Sequence, residues 1–185
     1  MGNSQASGAV GEASSPEERE RAFEELCVGY DQKTGSEQLH AAEAIELHKK
    51  GKLFLIDTRG EEEYKYACIP GATLLSPTAM GMTLVSTVGS GMRYVQDELP
   101  DLANVPEDVT IVCSCTAGLR SGYCAVDLTA RLGGDRTVKN LHGGIIAWFN
   151  ANGPVGNPET GEAMGKVHAY SATWGRYVKD GKAHY

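Results

Sequence analysis

Thr110-Ile111-Val112-Cys113-Ser114-Cys115-Thr116-Ala117-Gly118-Leu119-Arg120-Ser121 is the stretch on which the reading of this chain depends. A short apolar, β-branched run stops at a cysteine, crosses a loop that contains a glycine and reaches an arginine. The run predicts a buried strand over 109–113, and apolar residues from Ser121 to Leu132 recur at helical spacing. Cys115 then stands at the carboxyl end of a strand, just before a helix N-terminus. Backbone N–H groups and the positive end of the helix dipole gather there. The loop is therefore suited to an anion, either the thiolate itself or a charged group bound to its sulfur. Arg120 in the helix's first turn is unfavourable for that dipole, which suggests that it faces a negative charge. Gly118 gives the backbone freedom that a closed cradle asks of one residue.

The totals fit one domain with extensions. The 185 residues are 41% hydrophobic and 22% charged, and no apolar run is long enough to span a bilayer, so no membrane span is expected. A net charge of -7 and a pI near 5.2, with no basic cluster, argue against a nucleic-acid partner. Five cysteines (Cys27, Cys68, Cys113, Cys115 and Cys124) make an odd number in a chain without a signal-peptide core, which points to a reducing, cytoplasmic compartment. Most of them read as small buried hydrophobes, so Cys115 stands out by context alone. The histidines His40, His48, His142, His168 and His184 share no ligand spacing with the cysteines; neither a metal site nor a cofactor is expected.

Four regions follow in order. Residues 1–14, rich in Gly, Ser and Ala, predict a flexible tail. Its start, Met1-Gly2-Asn3-Ser4-Gln5-Ala6-Ser7, approaches an N-myristoylation pattern but holds Ala6 where serine or threonine is wanted. Weak membrane contact through acylated Gly2 and a plain tail both stay open. Residues 15–35 predict a helix from Ser15-Pro16-Glu17-Glu18, a capping box with proline at the first position, running to about Cys27 and followed by a linker. The main domain, 36–153, opens with a helix from Ser36 to Gly51. It continues with a buried strand Leu53-Phe54-Leu55-Ile56 ending at Asp57, a short helix from Glu61 to Tyr66, a turn at Ile69-Pro70-Gly71 and a strand from Ala72 to Leu75. Between Ser76 and Pro106 only a helix near Met92 to Leu99 emerges. The 109–113 strand, the 121–132 helix, a strand from Val138 to Leu141 and a helix from Ile145 to Asn150 complete an α/β alternation. Together they predict a mostly parallel central sheet with helices on both faces. Asp57, Cys115 and His142 fall at strand carboxyl ends, where such sheets bind ligands. The extension 154–185, with Tyr170, Trp174, Tyr177 and Tyr185, reads as a covering for the domain or as an aromatic partner-binding segment.

Three separate segments between about Ser36 and Gly153 resemble the rhodanese-like sulfurtransferase family. Asp57-Thr58-Arg59, Glu63-Tyr64 and Ile69-Pro70-Gly71-Ala72 look like its early signature. Cys115-Thr116-Ala117-Gly118-Leu119-Arg120-Ser121 is similar to the Cys-x-x-Gly-x-Arg-Ser loop of single-domain members, and Leu141-His142-Gly143-Gly144 with Trp148 looks like the closing motif. Cys68 stands where many members carry histidine, and Ser114 where Tyr or His is common.

The resemblance implies a sulfurtransferase in which Cys115 is the catalytic nucleophile. It would take sulfane sulfur from thiosulfate or a persulfide donor as a Cys115 persulfide and yield it to a thiol or cyanide acceptor. Thr116, Ala117, Gly118, Leu119 and Arg120 would bind the substrate, their amides holding the terminal sulfur and Arg120 orienting the donor. Asp57, Arg59 and Ser121 would brace the loop, although Asp57 and Arg59 read equally as a structural ion pair near Glu63. A rhodanese-fold phosphatase or arsenate reductase is the first alternative. It needs one more residue between cysteine and arginine than the four present here. A non-catalytic interaction module would lack the cysteine. A dithiol redox protein would pair Cys115 with Cys113, Cys124 or Cys68, and a bond between residues two apart in an extended chain is strained.

Overall fold

The computed structural model describes residues 15–75, 101–102, 104–133 and 136–185. The expected tail over 1–14, Gly2 with it, and the expected helix from Met92 to Leu99 lie outside these residues. Ser15 opens the first helix as the capping box predicts: its hydroxyl accepts the Glu18 amide at 3.2 Å, and the Glu18 carboxylate accepts the Ser15 amide at 2.8 Å. This helix, α1 (Pro16–Thr34), continues past the expected end near Cys27 until Gly35 turns left-handed at φ 67°.

A short strand β1 (Gln38–Leu39) comes next, and α2 (Ala41–Lys49) only after it. The helix expected from Ser36 is shortened because the carbonyls of Glu37 and Leu39 accept the amides of Asn140 and His142 at 2.8 and 3.0 Å, which draws this segment into the sheet. Then follow β2 (Leu53–Asp57), α3 (Glu61–Tyr66), β3 (Thr73–Leu74), β4 (Thr110–Ser114), α4 (Leu119–Arg131), β5 (Val138–Leu141) and α5 (Gly144–Asn150). The five strands form one parallel sheet in the order β1-β5-β4-β2-β3.

Side chains alternate across the sheet with the period of two that strands impose. Leu55 and Val112 point to one core with Ala44 and Ile45 of α2 and Ile145, Ile146 and Trp148 of α5. Ile56, Ile111 and Cys113 point to the other, with Cys124, Ala125 and Leu128 of α4. Sequestering each large apolar side chain is worth about 2 kcal/mol, so helices must cover both faces.

Beyond residue 153 the chain forms β6 (Val167–His168), α6 (Ala172–Gly175) and β7 (Ala183–His184), with β6 and β7 paired in a small parallel sheet of their own. Val155, Val167, Ala169, Tyr177 and Val178 of this extension are buried in the first core. The buried Trp148 indole donates to the Pro154 carbonyl at 2.8 Å, and Cys68 and Gly156 exchange backbone hydrogen bonds at 2.9 Å. The extension thus covers the domain and is packed into it. No helix among the described residues is long and apolar enough to cross a membrane.

Candidate active site

Asp57 stands in register with Ser114, and Cys113 with Asn140, so the chain leaves β2, β4 and β5 along one edge of the sheet. Cys115 begins the loop between β4 and α4. Gly118, at φ 97°, turns the loop back on itself, and its amide meets the Cys115 sulfur at 3.2 Å. The Ser121 hydroxyl, in the first turn of α4, lies 3.3 Å from the same sulfur. Ser121 therefore touches the sulfur directly instead of merely bracing the loop. Two donors and a helix N-terminus converge on one atom.

The loop is held from behind by the start of α5. The amides of Ile145 and Ile146 donate to the carbonyls of Cys115 and Thr116 at 2.8 and 3.3 Å. Gly144, at φ 57°, comes so close that a Cβ would overlap the Cys115 carbonyl. Asn140 of β5 donates from its buried side chain to the Gly118 carbonyl and to Gln38 Oε1, at 3.0 and 2.9 Å, which ties the loop to β1. Below the loop, the Cys27 thiol of α1 approaches the Ala117 carbonyl at 3.9 Å.

Arg120 does face a negative charge, and that charge belongs to the protein. Its guanidinium donates to Thr116 Oγ1 at 2.9 Å and pairs with Glu63 Oε1 at 3.4 Å, while Thr116 Oγ1 donates to the same carboxylate at 3.1 Å. The other Glu63 oxygen accepts the Gly60 amide at 2.9 Å, which fixes the carboxylate at the start of α3. Asp57 and Arg59 form a buried ion pair at 2.7 Å. Arg59 also donates to the carbonyls of Ala67 and His168, at 2.7 and 3.5 Å, so the pair binds β2 to the end of α3 and to the C-terminal extension. Glu63, rather than this pair, contacts the loop's side chains. Thr58 joins β2 to β4, its amide and hydroxyl meeting the Ser114 carbonyl at 2.8 and 3.1 Å.

A pocket of about 210 Å³ opens beside Cys115. Thr116, Ala117, Leu119 and Arg120 form its floor. Tyr30 of α1 and Tyr170 and Trp174 of the extension form its wall. No spacing in the sequence joins these aromatics to the loop; only the cluster of aromatics beyond residue 153 hinted at a surface to be covered.

His142 lies at the same sheet edge but turns to α1. Its two ring nitrogens meet Asp31 at 2.6 Å and Glu24 at 3.0 Å, and His40 packs against the ring at 4.6 Å. Burial works against charge on the ring, yet the bonds to Glu24 and Asp31 prevail and raise its pKa. All five cysteines are free thiols. Burial pushes up the thiols of Cys27, Cys68 and Cys113, the last beside Cys124 in the second core. Among the described residues no group of three or more His, Cys, Asp or Glu is arranged to hold a metal ion.

No curated protein matches this chain significantly. Among solved structures, the chain is similar to a protein of unknown function from Rhodopseudomonas palustris, described as a possible tyrosine phosphatase. The identity is 23% over 84% of this chain and 100% of that one, with a TM-score of 0.49. It is also similar to thiosulfate sulfurtransferase from Pseudomonas aeruginosa, at 16% identity over 84% of this chain and 26% of that one, TM-score 0.49. The 3-mercaptopyruvate sulfotransferase SseA of Escherichia coli matches at 16% identity over 71% of this chain and 56% of that one, TM-score 0.43. The profile of the rhodanese-like domain matches residues 40–151, which include the whole sheet edge except Gln38 and Leu39. The chain belongs to the rhodanese-like domain family.

Proposed function

We propose that this protein is a sulfurtransferase that carries one sulfane sulfur as a Cys115 persulfide, from thiosulfate or a persulfide donor to a thiol or cyanide. The observation that supports this reading most is the convergence of the Gly118 amide and the Ser121 hydroxyl on the Cys115 sulfur, at 3.2 and 3.3 Å, in a loop of four residues between Cys115 and Arg120. In loading, the Cys115 thiolate attacks the outer sulfur of the donor. A bond forms between the two sulfurs, the donor's own S–S bond breaks, and its electron pair leaves with sulfite or a thiolate. The persulfide anion takes up the loop's N–H groups and the helix N-terminus, which are already fixed in place by α5 and Asn140 and need no reorganisation. In unloading, cyanide attacks the terminal sulfur, thiocyanate departs, and Cys115 recovers its thiolate.

Incubation with thiosulfate is expected to add one sulfur atom to the mass of the Cys115 peptide, and cyanide to remove it as thiocyanate. Cys115→Ser is expected to abolish both. Failure of several donors to load Cys115 would overturn the proposal. The four-residue loop disfavours a phosphatase, whose tetrahedral oxyanion needs a longer cradle, so no hydrolysis of an aryl phosphate is expected. Hydrolysis that disappears in Cys115→Ser would reverse the choice.

A further inference from the structure

The pocket beside Cys115 is a poor receptor for a small dianion. Among its described lining residues Arg120 is the one formal charge, and this charge is already matched by Glu63 at 3.4 Å, with the Tyr170 ring lying 5.5 Å over the guanidinium. Glu63 is only 5% exposed and fixed at the start of α3, so its carboxylate lastingly offsets the Arg120 charge that would otherwise attract a doubly charged donor.

The wall is of another character. Tyr30 and Trp174 stand with ring centroids 6.3 Å apart at 53°, and Tyr170 lines the same pocket. Tyr170 is 61% exposed and sits at φ 67°, a left-handed conformation that residues other than glycine adopt at a cost. Its amide donates to His168 Nδ1 at 3.0 Å, which helps to hold it there. An exposed aromatic ring kept in a strained conformation beside Arg120, in the pocket that Cys115 also lines, contributes little to the core. An apolar cavity of about 150 Å³ is enough for benzene, so the 210 Å³ here accommodates a ring with two sulfur atoms.

We infer that the site takes an organic, singly charged sulfane donor whose carbon group is apolar and of aromatic size, and that Tyr170 and Trp174 determine this preference. The inference rests on the sulfurtransferase reading and narrows its donor. With benzenethiosulfonate, the Cys115 thiolate forms a bond to the outer sulfur and the bond from that sulfur to the sulfonyl sulfur breaks. The electron pair leaves as benzenesulfinate. Two negative charges stand on each side of the reaction, and no proton, oxidant or reductant is required.

The test compares kcat/KM for benzenethiosulfonate and methanethiosulfonate, with cyanide as acceptor, in the wild type, Tyr170→Ala and Trp174→Leu. The intrinsic difference between the two leaving sulfinates is common to all three proteins, so the change in the benzene-to-methane ratio isolates the wall. That ratio is expected to fall at least about fivefold in each variant. Calorimetry on Cys115→Ser is expected to show benzenethiosulfonate binding that weakens by a similar factor when Tyr170→Ala is added. A ratio within twofold of wild type in Tyr170→Ala overturns the inference, as does a higher wild-type kcat/KM for thiosulfate than for benzenethiosulfonate. Tyr170 is exposed, so its variant decides the matter even if Trp174→Leu does not fold. If no donor loads Cys115 in the wild type, the sulfurtransferase reading itself fails. Loading by methanethiosulfonate with an unaltered ratio removes only the aromatic preference.

Discussion

Ser121 and Gly118 meet the Cys115 sulfur from two sides of one loop. A hydrogen bond to a charged group is worth about 1.5–3 kcal/mol, so Ser121→Ala is expected to slow sulfur loading roughly tenfold or more, read by quenched-flow mass spectrometry. Loading at the wild-type rate would show that the hydroxyl has no part in it. At Gly144 the φ of 57° and the proximity of the Cys115 carbonyl leave no room for a side chain. Gly144→Ala is expected to cost more than about 2 kcal/mol in urea denaturation. That Cys115, Gly118 and Ser121 lie near one another was legible in the sequence because they fall within seven residues of one loop and helix start, and their spacing brings the amide and the hydroxyl to the sulfur. Glu63 was not legible as their partner: it stands 57 residues before Arg120 and reaches it across the junction of β2 and β4. The sequence indicated that Arg120 faces a negative charge without naming which.

Local signals also decided which elements could be read. The α1 start is complete within four residues, and Ser15→Ala is expected to destabilise by about 1 kcal/mol, with hydrogen exchange quickening in the first turns of α1 before the sheet. Equal exchange in both proteins would show that packing alone holds that end. The bounds of α3 and β5 match the expected ones, because each is closed by residues adjacent in sequence. By contrast β1, two residues long, has no period to detect and exists through its bonds to β5, a hundred residues later. The extension gave no period either, since its β6 and β7 are two residues each and its burial comes from contacts with residues far back in the chain.

At the scale of the whole molecule, α1 is joined to the β5–α5 junction by His142, which bridges Glu24 and Asp31. Its folded pKa is raised, so protonation favours the folded state. The stability it contributes is fully present below the unfolded value of about 6.5 and is lost as pH rises through the folded value. The urea midpoint is thus expected to fall on going from about pH 6 to 8 through this group, and His142→Gln is expected to flatten that portion of the curve. An unchanged slope in the variant would remove His142 from the account. His168, whose pKa burial lowers, acts in the opposite sense: its contribution is present above the unfolded value and is lost as pH falls through the folded one.

The loop around Cys115 lies within residues 40–151, whereas Tyr30, Tyr170 and Trp174 all lie outside that span. On the proposed reading, the cradle of the nucleophile and the wall that selects its donor would come from different parts of the chain. Grafting the segments that hold Tyr30, Tyr170 and Trp174 onto a related domain would, on that reading, transplant a preference without altering the loop around Cys115.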